Sequence, residues 1–387
     1  MRHAANSLLT TRIYLDHNAT TPLDPRVLEA MLPVLRDGFG NASSLHHFGQ
    51  RARAALEDAR AEVAALVSAA ADEIVFTGSG TEADNLAVRG LALASPEPRR
   101  KVLHTGIEHH AVLNCAKALA AEGLPVEVVR AGEDGVLDLD DLAARADERT
   151  AVIAVMLANN ETGVVQPIGE VVRIAQAKGA RVHCDAVQAA GKLALDVRSL
   201  GVDTLALSAH KLYGPKGTGA LWVRRGLKLK ALVHGGSQER NRRAGTENVA
   251  GIVGFGRAAA IAKDELAESG ARLATLRDHL EARLLAIPGA RVNGTGPRVP
   301  NTTNVSFDGC EAESLLLALD LAGVAVSTGA ACAAGAIEPS HVLRAMGLPL
   351  PRVQASLRFS LGRGTTAAEV ERAAAAVAEA VARQRRR

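Results

Sequence analysis

The sequence predicts an α/β fold: a large domain on a mostly parallel sheet, then a smaller α+β domain. Three observations carry this. Short apolar runs alternate with helical stretches from about residue 73 to residue 223, the pattern of strands joined by helical crossovers. A helix-rich stretch over 249–287 ends the alternation. Beyond it, turns at Pro288-Gly289 and Gly294-Thr295-Gly296-Pro297 lead into a strand over 303–307, as a second unit would begin. The expected division is 16–262 for the large domain, and 1–15 with 263–387 for the small one.

Composition narrows the function classes. With 48% hydrophobic and 22% charged residues over 387 positions, the chain has the make-up of a globular enzyme. A net charge of +3, with basic residues scattered except for Arg383, Arg385, Arg386 and Arg387, gives no electrostatic case for nucleic acid. Cys115, Cys184, Cys310 and Cys332 form no CxxC pair, so neither a disulfide framework nor a zinc site is expected. The first twelve residues do not read as a signal peptide, and no apolar run of about 18 residues could span a bilayer. A cytoplasmic protein without membrane or nucleic-acid partners is the expectation.

Taken in order, residues 13–22 form a short strand running into a polar turn, before a helix that Pro25 opens. A polar loop through Asn41 leads to an amphipathic helix over 50–67. Residues 73–77 are a strand, 78–81 a small-residue turn, and a helix starts at Glu82. Gly80 and Thr81 thus sit where a helix start offers free N–H groups to a phosphate, although the Walker and dinucleotide spacings are absent. A strand over 101–105 precedes a helix opened by His109 and His110, either of which could lie flat on a cofactor ring. A strand over 152–156 runs into Asn159-Asn160-Glu161. The next, 181–188, places Asp185 at a carboxyl end, where open α/β sheets bind ligands. There a carboxylate could keep a pyridinium nitrogen protonated, and Gln188 would face the same ring across a helical turn.

The segment Ser208-Ala209-His210-Lys211 lies between apolar strands over 204–207 and 220–223. An amine held there, partly desolvated among other cationic groups, loses pKa and can form a Schiff base with an aldehyde. Pyridoxal 5'-phosphate is the aldehyde kept for this purpose. A long polar loop over 233–248 has the character of a functional or interface segment. Cys332 sits in a run of glycine, alanine and serine, about 326–340, expected to be mobile and to suit a thiolate that reaches a partner and swings away. Arg358 and Arg363 flank a strand, and a guanidinium fork is a natural clamp for a carboxylate. An alanine-rich helix over 367–383 closes the chain.

In order, YLDHNATTP, TGSGTEADNLA, EHHAVL, NNETGVVQPI, HCDAVQAAGK, SAHKLYGPKG, RRAGTEN, STGAACAAGAIEPSHVL and LRFSLGRG resemble the cysteine desulfurases of the NifS/IscS type, a class V branch of the aminotransferases. The resemblance covers nearly the whole chain. It implies a fold-type I pyridoxal-phosphate-dependent transferase, Lys211 as the Schiff-base lysine and His109 stacked on the ring. Asp185 becomes the pyridinium partner, with Gln188 and Asn160 near the phenolic oxygen. Gly80, Thr81, Ser208 and His210 hold the phosphate, and Thr246 reaches that of a neighbouring subunit in a homodimer. Arg358, helped by Asn41, takes the carboxylate of L-cysteine, and Cys332 is the nucleophile that carries a persulfide to an acceptor such as an iron-sulfur scaffold. No resident metal is implied, Cys332 being at most a transient ligand of a nascent cluster. Against the resemblance, the sequence ends in Arg383-Gln384-Arg385-Arg386-Arg387 with no match to the extended tail by which housekeeping members dock that scaffold, so the expected acceptor is a nitrogenase-type or general iron-sulfur scaffold, or a thiolation enzyme for RNA or cofactors. Selenocysteine lyase or another class V aminotransferase is the alternative activity.

Overall fold

The computed structural model describes residues 12–329, 332–333 and 336–386. After β1 (Ile13–Tyr14), the chain lays down β2 (Ile74–Thr77), β3 (Lys101–Thr105), β4 (Val126–Val129), β5 (Thr150–Met156), β6 (Arg181–Asp185), β7 (Thr204–Ser208) and β8 (Gly219–Val223). These seven form one sheet in the order β2-β8-β7-β6-β5-β3-β4. Within it, β8 is antiparallel to both neighbours and every other pairing is parallel. Helices shield both faces, so β2, β3, β5, β7 and β8 are buried along their whole length. That explains the apolar runs of β2, β5, β7 and β8, while β3 buries Lys101, His104 and Thr105 as well. The edge strand β4 is mostly half-exposed and too brief to stand out, so the reading from sequence passed over it.

The last strands make a second core. β9 (Ala290–Val292), β10 (Thr302–Phe307), β11 (Val324–Ala325), β12 (Cys332–Ala333), β13 (Ala336–Ile337) and β14 (Ser356–Ser360) follow, with β10 between β14 and β9 in an antiparallel sheet. Phe307, Leu357 and Phe359 pack there with Leu280 and Leu284 of the helix Leu266–Leu285 and Val377 of the helix Ala367–Arg385. Ile13 and Leu15 join this cluster because β1 pairs in parallel with β11, and Asp16 bridges Ser360. β12 pairs with β13 through Cys332↔Ile337; the side chains there, Cys332 included, lie outside the described residues.

Three helix boundaries differ from expectation, each for a capping reason. The helix expected from residue 50 runs His47–Leu66, because His46 Nδ1 accepts from the Gly49 amide at 3.2 Å and starts it earlier. The helix expected from Glu82 begins at Gly80, capped by Ser79. The stretch over 249–287 is two helices, Val249–Asp264 and Leu266–Leu285, parted at Glu265. Cys115 and Cys184 are buried free thiols, and Cys310 is partly covered.

Candidate active site

Because β5, β6 and β7 run in parallel, they bring Met156, Asp185 and Ser208 to one edge of the sheet, with Met156 opposite Asp185 in register. A cavity of about 520 Å³ opens there. Its walls include Gly80, Thr81, His109, Asn160 and Asp185, and also Gln188, Ser208, His210, Lys211 and Arg358. Asn41 and Thr246 are exposed and lie elsewhere on this chain. Asn41 turns its side-chain oxygen to the Ser43 amide at 2.8 Å.

One end of the cavity is built by the start of the helix Gly80–Ala94. Its first intrahelical bond runs from the Ala83 amide to the Ser79 carbonyl at 3.1 Å, which leaves the amides of Gly80 and Thr81 ahead of the helical ladder. A Cβ on Gly80 would meet Val187 at 2.9 Å and Ser208 at 3.2 Å, so only glycine keeps this approach open. His210 Nδ1 is 3.1 Å from Thr20 Oγ1, and burial lowers its imidazole to about 4. Glu82 steadies the turn, accepting from the Gly78 amide at 2.8 Å and pairing with Arg243 at 2.8 Å.

At the other end, the Lys211 amine donates to the carbonyls of Asn18 and Ala19 at 2.5 and 2.7 Å. Burial pulls it down to about 8, Arg358 acting the same way and Asp16 and Asp185 opposing. Asp185 accepts from the Val187 amide at 2.9 Å. Burial raises its carboxyl above the usual range, while that amide and Lys211 hold it back. His109 caps the helix His110–Ala121 through Nδ1, leaving its ring open on the cavity side. The desolvating packing around it, then Lys211, lowers its imidazole to about 4, although the side chain keeps contact with solvent. His110 lines the same cavity and packs at a tilt against His341, with ring centroids 4.4 Å apart.

These residues fit pyridoxal phosphate on structural grounds. The glycine-opened helix start suits its phosphate, and a depressed amine suits its aldehyde. Asn160 Oδ1 is buried on the cavity wall without a partner, as a polar contact awaiting a ligand would be.

Several cavity residues were not singled out from sequence. Asn18 is a hub: besides Lys211 its carbonyl accepts from Gln188 at 2.9 Å, and its side chain takes Lys192 at 3.0 Å and donates to the Asn160 carbonyl at 3.1 Å. Glu161, 1% exposed, accepts from Ser340 Oγ at 2.5 Å. Asp16 pairs with Arg358 at 2.6 Å. Ser327 and Gly329 before the Cys332 segment, and His341 after it, line the same cavity. The motif strings contained these residues, but their partners lie up to 342 positions away.

Sheet, cavity and depressed amine together define the class, a fold-type I enzyme of the pyridoxal-phosphate-dependent kind. The chain belongs to the aminotransferase class V family, whose model matches residues 13–373. Within that family it is similar to a cysteine desulfurase of Trichormus azollae, 49% identical over 96% of this chain and 94% of the relative. It is 46% identical to the cysteine desulfurase IscS of Dictyoglomus turgidum over 92% and 90% of the two chains. Among solved structures, a NifS-like protein superposes with a TM-score of 0.89 at 38% identity, covering 95% of this chain and 99% of the other. SspA in complex with cysteine gives 0.81 at 33% identity over 91% and 99%.

Proposed function

We propose that the chain works as a cysteine desulfurase, taking the sulfur of L-cysteine onto Cys332 as a persulfide and releasing L-alanine. The observation that carries this is the meeting of Lys211 and Asp185 in one cavity lined by both flanks of the Cys332 segment. Bound there, pyridoxal phosphate supplies an electron sink for the substrate carbon. The chain's residues do the rest. Gly80, Thr81, Ser208 and His210 hold the phosphate, and Asp185 keeps the ring nitrogen protonated. Gln188 and Asn160 face the phenolic oxygen, and the neutral His109 lies on the ring. Arg358 orients the substrate carboxylate. Lys211, poised near neutrality, takes the Cα proton and returns it. Cys332 attacks as thiolate: an S–S bond forms, the Cβ–S bond breaks with its electron pair going to carbon, and protonation of that carbon leaves alanine.

The same reading makes the protein a cytoplasmic homodimer, with Thr246 extended from the polar loop to the partner subunit's phosphate site. It divides the chain into 16–262 and 1–15 with 263–387. The persulfide passes to an acceptor, an iron-sulfur scaffold or a thiolation enzyme. The test is to incubate purified holoprotein with L-cysteine and a reductant and to assay alanine and sulfide together. Equal yields are expected, and Cys332→Ala is expected to retain the cofactor's visible band while losing sulfide. A Cys332→Ala variant with full turnover would identify an aminotransferase instead.

A further inference from the structure

Arg358 faces the cavity as the carboxylate clamp, yet its guanidinium is already engaged. Nη2 donates to Asp16 Oδ1 at 2.6 Å and Nη1 to the Asn160 carbonyl at 3.0 Å. Nε is buried with no partner. The Arg358 side chain is 6% exposed and that of Asp16 20%, and both line the cavity beside Lys211. Backbone pairing sets this approach independently of the charges: Asp16 bridges Ser360 and Ser327 bridges Arg358.

We propose that Asp16 is an internal stand-in for the substrate carboxylate: it neutralises Arg358 between turnovers and yields or shares the Nη edge when an α-amino acid binds. The inference rests on the desulfurase reading, because it takes Arg358 as the receiver of a substrate carboxylate. An unpaired guanidinium at this depth is costly to desolvate, and Lys211 in the same cavity would be repelled by it. Asp16 removes that cost in the empty enzyme. An arriving carboxylate then meets a fork whose field is largely cancelled, with a second anion beside it. The alternative edge is closed, since Nε has no access. Asp16 therefore subtracts from binding of substrate, transition state and product alike, which raises KM and leaves the chemical step alone.

Asp16→Asn keeps the size and an acceptor oxygen and removes the charge. L-alanine is titrated calorimetrically into wild-type and variant holoenzyme, alongside KM and kcat for L-cysteine. Alanine affinity should rise and KM fall, each by about tenfold, the scale of one desolvated charge contact, with a much smaller change in kcat. In an Arg358→Ala background the same substitution should have little effect. Weaker alanine binding in Asp16→Asn would mean that Asp16 serves as a support for Arg358 and would overturn the proposal. So would a tightening that persists without Arg358. Asp16→Ser, read the same way, guards against a disturbed pairing with Ser360. Tighter alanine binding in the variant of a protein that makes no alanine from cysteine would uphold the exchange and remove the desulfurase reading.

Discussion

The amine of Lys211 rests between two main-chain carbonyls, 2.5 Å from that of Asn18 and 2.7 Å from that of Ala19. Both carbonyls belong to a turn 192 or more residues earlier in the chain. They orient the amine, while burial and Arg358 weaken its hold on a proton.

Cofactor capture should follow from that balance. With Lys211 at about 8, the neutral fraction increases through mild alkali. The rate at which apoprotein takes up pyridoxal phosphate, followed by its visible absorbance, should rise roughly fivefold from pH 7 to pH 8 and level off above about pH 9. Lys211→Ala should develop no such band. A flat pH profile would contradict the assignment.

Asp185 should show a stability cost taken for function. Burial raises its carboxyl, so the folded chain keeps a proton that the unfolded chain has lost. Stability from this group is present in acid and lost as pH rises through the folded value. Asp185→Asn should therefore raise the Tm of the apoprotein by about 3 °C at pH 8 and scarcely at pH 4. In the holoenzyme the same change should lower kcat by about 10²-fold. Calorimetry on both forms checks the opposite signs.

Glu161 and Ser340 form a buried contact at the end of the Cys332 segment, and a Cβ on Gly329, at its start, would sit 2.5 Å from the same carboxylate. Ser340→Ala leaves Glu161 without that donor, at a cost of about 1–3 kcal/mol. Sulfide release should slow by about tenfold while the cofactor band is unchanged. A shifted band would place the effect at the cofactor and not at the segment.

The polar loop is anchored by a buried ion pair. Arg60 grips Glu239 at 2.7 and 2.8 Å, and Glu239 also accepts from the Phe76 amide at 2.9 Å. This holds Glu239, Arg240 and Asn241 at φ of 46°, 56° and 63°, which side chains other than glycine seldom adopt. Glu239→Gln should cost about 3 kcal/mol by denaturant titration, because Arg60 loses its buried partner and keeps only the partly exposed Glu57 at 3.2 Å. A loss under about 1 kcal/mol would show the pair to be dispensable.

The sequence by itself determined the layered α/β plan, since strands buried on both faces are mostly apolar and β5, β7 and β8 read that way. It also marked Lys211, Asp185, Gly80 and Cys332, whose residue types are costly or unusual at such positions. Local periodicity left other choices open. His109 and His110 are neighbours with the same spacing signal and both line the cavity; the tertiary structure tells them apart by their partners, His109 capping its helix and His110 packing against His341. Asp16 and Arg358 carry no mutual signal, being 342 residues apart; their contact exists because β1 returns to pair with β11 and brings Asp16 against β14. Which charges meet was decided by strand pairing across the whole chain, because Coulomb energy depends on distance in space and a one-dimensional pattern does not encode it.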